Sequence, residues 1–212
     1  MKQKGGWLMP DFPVQMVTRV IRLGPNQTIY YPQIFHLKSP VVQYLINQAI
    51  TRGTQSLIQK QTAERPNSVV EMLGTYEIKN NQRNILSLTL ANYTYHEQAA
   101  HGMTYLSSLT FDLTSGQKYT LNQLFKPESH YIARLSSLIL KQISERNIPL
   151  LTDFVKIRPD QDFYIADKTL VIFFQLYEIT PYVYGFPMFP VSVYELEDII
   201  DENAPLAKIV AN

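Results

Sequence analysis

The 212-residue sequence contains no cysteine. That excludes a disulfide scaffold, thiolate zinc sites, iron–sulfur clusters and a cysteine nucleophile. Glycine is scarce at eight residues, too few to hide a phosphate-cradling loop, and no Gly-x-Ser-x-Gly elbow is present. No cofactor is expected. An excess of one charge is also missing: 19 Lys and Arg stand against 18 Asp and Glu, for a formal net charge of +1. The basic residues are scattered, which argues against a nucleic-acid partner. No apolar run is long enough to span a membrane. Lys2 and Lys4 open like a signal peptide, but Pro10 and Asp11 interrupt the chain directly after Trp7-Leu8-Met9. As written, the sequence predicts a soluble, cytoplasmic protein with a loose tail over residues 1–13, and Met9 or Met16 is an alternative start.

What is present is a globular composition, 45% hydrophobic and 17% charged. Residues 14–23 and 28–37 read as strands around a Gly24-Pro25-Asn26 turn, and Pro32 marks the second as an edge strand or a bulge. Ser39 is a good N-cap with Pro40 at the first helical position. Val42, Leu45, Ile46, Ala49, Ile50, Leu57 and Ile58 then form one apolar stripe over residues 40–63, weakened by about 1 kcal/mol at Gly53. Strands follow at 69–79, 84–95 and 103–113, with Asn80-Asn81-Gln82-Arg83 as a hairpin connection. A turn of helix at 120–125 precedes a second long helix at 129–146. A hairpin at 162–176, a strand at 191–193 and a short acidic helix at 194–201 complete the chain. The fold expected is α+β: an antiparallel-rich sheet with two long helices packed on one face. It divides into two small units, residues 14–100 and 101–212.

His96-Glu97-Gln98-Ala99-Ala100-His101 resembles the zinc-peptidase signature with one residue too many. Five apart on a helix, the histidines diverge by about 140°. A metal-assisted hydrolase using His96, Glu97 and His101 is therefore an alternative reading, and no metal is expected in the primary one. Asp160, Asp162 and Asp167 read as solvated turn residues. The most unusual stretch, residues 177–190, packs five aromatics, three prolines and a glycine into fourteen residues. Its rings give large contact area at low entropic cost. Either it is a preorganised binding surface built on Tyr182, Tyr184 and Phe186, with Glu178 and His101 as further candidates, or it is a rigid corner plugging the core. Alternation carried on from the preceding strand would turn Tyr177, Ile179 and Pro181 inward and leave Tyr182-Val183-Tyr184 at a tip.

Several pieces carry a family resemblance. They are Tyr31-Pro32-Gln33-Ile34 with Ile46-Asn47, Ala100-His101-Gly102, and Phe111-Asp112-Leu113-Thr114-Ser115-Gly116-Gln117-Lys118-Tyr119-Thr120-Leu121 leading to Leu124-Phe125. The last is Tyr177-Glu178-Ile179-Thr180-Pro181-Tyr182-Val183-Tyr184-Gly185. Over roughly residues 14–200 the chain resembles the paired extracytoplasmic domains of lysozyme-sensing anti-sigma factors of the sigma-V type. The same pair stands beside the catalytic domain of some peptidoglycan deacetylases, and residues 101–212 are similar to the C-terminal domain of those anti-sigma factors. The resemblance implies an α+β domain without an active site of its own. It implies a non-catalytic binding or sensing module whose partner is a lysozyme-like protein or a cell-wall glycan, and a location outside the membrane. A structural or oligomerisation domain is the remaining alternative.

Overall fold

The computed structural model describes residues 13–210 apart from 64 and 66; the tail expected over residues 1–13 lies outside them but for its last residue. Strands β1 (Gln15–Gly24) and β2 (Gln27–Phe35) form a hairpin, followed by helix α1 (Pro40–Thr62). Strands β3 (Val69–Gln82), β4 (Ile85–His96) and β5 (Met103–Asp112) then complete a five-stranded sheet in the order β1-β2-β3-β4-β5. Every pair is antiparallel except β2–β3, which run parallel over Gln27–Ile29 against Met72–Gly74. A parallel pair needs a crossover, and α1 supplies it. β5 is a strand of this first sheet, although it lies in the stretch assigned above to the C-terminal unit.

Pro32 sits inside the sheet order but beyond the end of the β3 pairing. Two residues on, the N–H and C=O of Ile34 turn to the side-chain amide of Asn47 in α1, each at 2.9 Å. Alternation puts the nitrogen of Pro32 on that same side, where no strand asks for a donor. In α1, Ser39 Oγ accepts from the Val42 N–H, and Val42, Ile46, Ile50 and Leu57 are buried. Leu45, expected on the stripe, is exposed. Gly53 has a packing reason: a Cβ there would stand 3.1 Å from Leu90 Cδ1, so the residue that weakens the helix lets it settle onto β4. The connection expected over Asn80–Arg83 is shorter. β3 runs on to Gln82, and a two-residue turn of Arg83 (φ 54) and Asn84 (φ 60) closes the hairpin. The asparagines do not end the strand because their amides are used. Asn80 donates to the carbonyls of Gln82 and Ile85, while Asn81 pairs with both backbone groups of Val14.

A second sheet holds β6 (Phe163–Ala166), β7 (Thr169–Phe173) and β8 (Met188–Ser192), all antiparallel. The two long helices therefore serve different sheets rather than one face of a single sheet. α1 covers the first, and α2 (Tyr131–Glu145) covers the second, with Gln142 and Arg146 donating to the carbonyls of Pro190 and Met188. β6 lies against β3, β4 and β5, which makes β4 the shared element. Leu86, Leu88 and Leu90 face α1, while Ser87 and Thr89 face the other way and are also buried. The Ile165 N–H of β6 donates to Ser87 Oγ at 3.0 Å.

The acidic helix expected at 194–201 is a single 3₁₀ turn, Val193–Glu195. Its continuation pairs with another segment: Lys126 N–H donates to Ile199 O, and Asp201 N–H to Leu124 O. Backbone groups committed to that bridge cannot close helical turns. A short helix the sequence pattern does not announce, α3 (Pro205–Val210), ends the described chain. No helix among the described residues is long and apolar enough to cross a membrane.

Asp112 fastens α3 to the first sheet. Its Oδ1 accepts from the Thr114 and Ser115 N–H groups, both at 2.8 Å, and its other oxygen pairs with Lys208. Burial alone would raise its carboxyl, but the Lys208 pair and the two N–H groups hold it below the ordinary 3.8. A folded-state value below the unfolded one gives stability that is present above pH 3.8 and lost as pH falls through the folded value. Asp112→Asn should therefore melt earlier than the parent near neutral pH. The gap should close in acid, as read by thermal melts across a pH series. Gly74→Ala, whose Cβ would stand 2.3 Å from Ile29 Cγ2 at the parallel crossing, should cost about 1–3 kcal/mol in urea unfolding.

Candidate binding site

Beyond β7 the chain leaves the sheet. The Gln175 N–H donates to Glu178 Oε2 at 2.7 Å and the Glu178 N–H to Gln175 O at 3.1 Å, closing a four-residue turn. Tyr177 inside it adopts φ 64, a left-handed conformation that costs an L-residue roughly 1–2 kcal/mol. The expected alternation therefore breaks. The β7–β8 ladder ends at Phe173, and the turn throws Tyr177 outward, 46% exposed. Ile179 and Thr180 return to the interior. Pro181 then leads into one 3₁₀ turn, Tyr182–Tyr184, closed by Gly185 at φ 78, a backbone that glycine takes without a Cβ penalty. Val183 stands at the tip, 92% exposed.

Two of the sequence candidates meet. The rings of Tyr182 and His101 lie 4.3 Å apart, and Tyr177 completes the group at 5.4 Å from Tyr182 and 6.1 Å from His101. The Tyr182 hydroxyl donates to Gly102 O at 3.0 Å, and His101 Nδ1 faces the same carbonyl at 2.9 Å. A carbonyl only accepts, so Nδ1 carries the proton, and Nε2 accepts from the Tyr177 hydroxyl at 3.0 Å. The loop between β4 and β5 is thus clamped to the loop after β7. Gly102 is required there, because a Cβ would stand 2.2 Å from the Tyr93 ring.

Glu178 braces this arrangement from behind. It pairs with Arg158, which also lies 3.6 Å from Asp160. Gln175 exchanges hydrogen bonds with both backbone groups of Leu106 in β5 and donates to Asp162 at 3.1 Å. Burial pushes the Asp162 carboxyl above its ordinary value, with the Gln175 bond opposing and the Glu178 charge adding. Tyr184 packs onto the core beneath α2, and Phe186 is half-buried. Sequence reasoning turned Tyr177 inward and passed over Arg158 and Gln175. A polar residue within Val171–Leu176 was a legible signal for Gln175; Arg158 reaches Glu178 only through the fold.

His96 and His101 belong to separate networks. His96 Nε2 donates to Gln61 O at 3.0 Å and its Nδ1 lies 2.8 Å from Ser68 Oγ, which ties the end of α1 to β4. Glu97 is exposed. No cluster of three or more His, Asp or Glu suited to a metal ion occurs among the described residues.

This is an α+β fold of two sheets whose connecting loops gather the candidate residues, and comparisons with known proteins show what it resembles. Residues 26–104 match a family model described as deacetylase PdaC, and residues 122–194 match one described as a protein of unknown function, DUF3298. The chain thus carries a PdaC-like stretch followed by a DUF3298-like stretch. A DUF3298-family protein from Bacteroides fragilis superposes with a TM-score of 0.66 at 13% identity, covering 95% of this chain and 98% of that one. A second, from Pseudomonas aeruginosa, gives 0.64 at 12% identity, covering 91% and 95%. At these identities the likeness is one of fold. No curated protein matches the sequence.

Gly102→Ala should push the loop off Tyr93 and cost about 1–3 kcal/mol. Tyr182→Phe, which loses one hydrogen bond, should cost about 1 kcal/mol. Urea midpoints at fixed pH separate the two.

Proposed function

We propose that this chain is a non-catalytic binding or sensing module of bacterial type, for a lysozyme-like protein or a cell-wall saccharide. It meets its ligand through the Tyr177–His101–Tyr182 cluster and the tip beside it. The observation that carries this reading is the tip itself: Val183 is almost wholly exposed on a turn tied by Tyr182 to Gly102 and by Tyr184 to the core. A protrusion already fixed in place loses little entropy when it binds. Its convex form suits a protein with a cleft better than a sugar chain, which would need a concave seat. A location outside the membrane, as in the family the sequence resembles, belongs to the same reading.

The test is binding of the full chain to lysozyme and to solubilised wall saccharide by calorimetry. Val183→Asp should weaken the engaged ligand at least tenfold, about 1.4 kcal/mol, with an unchanged melting temperature because the side chain packs on nothing. Tyr177→Ala should weaken it too. Binding that ignores Val183→Asp, or no binding to either ligand, overturns the proposal.

A further inference from the structure

On the C-terminal half, α2 begins beside a groove of about 1130 Å³ that the reading above does not use. Its aromatic wall is rigid. Phe125 and Tyr131 stack at 5.0 Å with planes 8° apart, and the Tyr131 hydroxyl donates to Pro159 O at 3.1 Å. Tyr119 also lines it. The charged groups on its rim cancel: Lys126 and Lys156 stand against Glu128 and Asp201. Asn122 and Gln123 complete the polar side. Their carboxamide oxygens face the Thr120 hydroxyl at 2.6 and 2.8 Å. Among the described residues, no acceptor engages their NH₂ groups.

The same edge of the groove holds strain and an unmet buried hydroxyl. Glu128 (φ 61) and His130 (φ 52) are both left-handed, and they flank Ser129, whose Oγ is buried without a hydrogen-bond partner. No side chain caps the first turn of α2. Strained backbone and a buried hydroxyl without a partner at one cleft are features that a ligand site retains at the expense of stability.

We propose that this groove binds an uncharged oligosaccharide. Pyranose C–H faces would lie on Tyr131 and Tyr119, and hydroxyl or acetamido oxygens would accept from Asn122 and Gln123. The balance of charge selects this class. An anionic ligand meets Glu128 and Asp201, a cationic one meets Lys126 and Lys156, and a lipid leaves the amides unpaired. The volume accommodates several sugar units, lying just above the range of small-molecule sites, roughly 300–1,000 Å³. The inference rests on the groove alone and is independent of the tip at Val183.

The experiment is a calorimetric titration of the full chain with cellotetraose and chitotetraose, with tetragalacturonate as the anionic comparison. At least one neutral tetrasaccharide should bind saturably and more tightly than tetragalacturonate. Asn122→Ala, at an exposed position, should weaken it at least fivefold with an unchanged melting temperature. Tyr131→Phe should bind within twofold of the parent because the ring remains. Leu23→Ala, at an exposed position on β1 that belongs to neither surface, should leave saccharide affinity unchanged. Absence of saturable binding to both neutral sugars overturns the proposal. So does tighter binding of tetragalacturonate, or affinity that ignores Asn122→Ala.

Discussion

β4 has to be buried on both faces, and its composition answers that demand residue by residue. Leu86, Leu88 and Leu90 fill the space beneath α1, where a helix stands off by a full side-chain layer. Ser87 and Thr89 point the other way, where β6 comes so close that its backbone N–H reaches Ser87 Oγ. Small hydroxylated residues are what such an approach allows. A leucine at 87 would fill the gap and leave the Ile165 N–H buried without a partner, a loss of about 1–3 kcal/mol. The two sheets meet on this strand, and the relative position of every loop discussed above follows from that contact.

The loops gather because both flank the same contact. β5 lies next to β4, and the loop feeding it carries His101 and Gly102. β7 lies next to β6, and the loop leaving it carries Tyr177, Glu178 and Tyr182. Gln175 joins the two directly, supplying to Leu106 the pair of hydrogen bonds that a further strand would have given. Chain separation between His101 and Tyr177 is 76 residues, yet their rings share a hydrogen bond because two edges of two sheets were placed side by side. The same logic puts the groove at the far end of the second sheet, where the 120–130 segment, α2 and the 199–204 segment converge.

The two surfaces differ in the chemistry they offer. One is a protruding turn with an apolar tip and braced flanks; the other is a recess with an aromatic wall and balanced charge. Each carries left-handed non-glycine backbone, at Tyr177 in the first and at Glu128 and His130 in the second. A chain that keeps such conformations in ordinary L-residues holds them by surrounding contacts, here the Gln175–Glu178 pair and the Phe125–Tyr131 stack.

Local chemistry determined much on its own. Ser39 and Pro40 fix where α1 starts, the leucine alternation of β4 fixes its register toward a helix, and the aromatic, proline-rich run over 177–190 marks the tip. These are short-range signals, written within a few residues of where they act. Tertiary structure decided the rest. That α1 and α2 cover separate sheets depends on Ser87 and Ile165, 78 residues apart, which no local pattern links. That Tyr177 faces outward depends on a turn closed by the Glu178 carboxylate. That residues 199–201 bridge to 124–126 instead of coiling depends on a partner segment distant in sequence. In each case the deciding interaction is long-range, so it exists only once the chain has closed the loop that brings its two ends together.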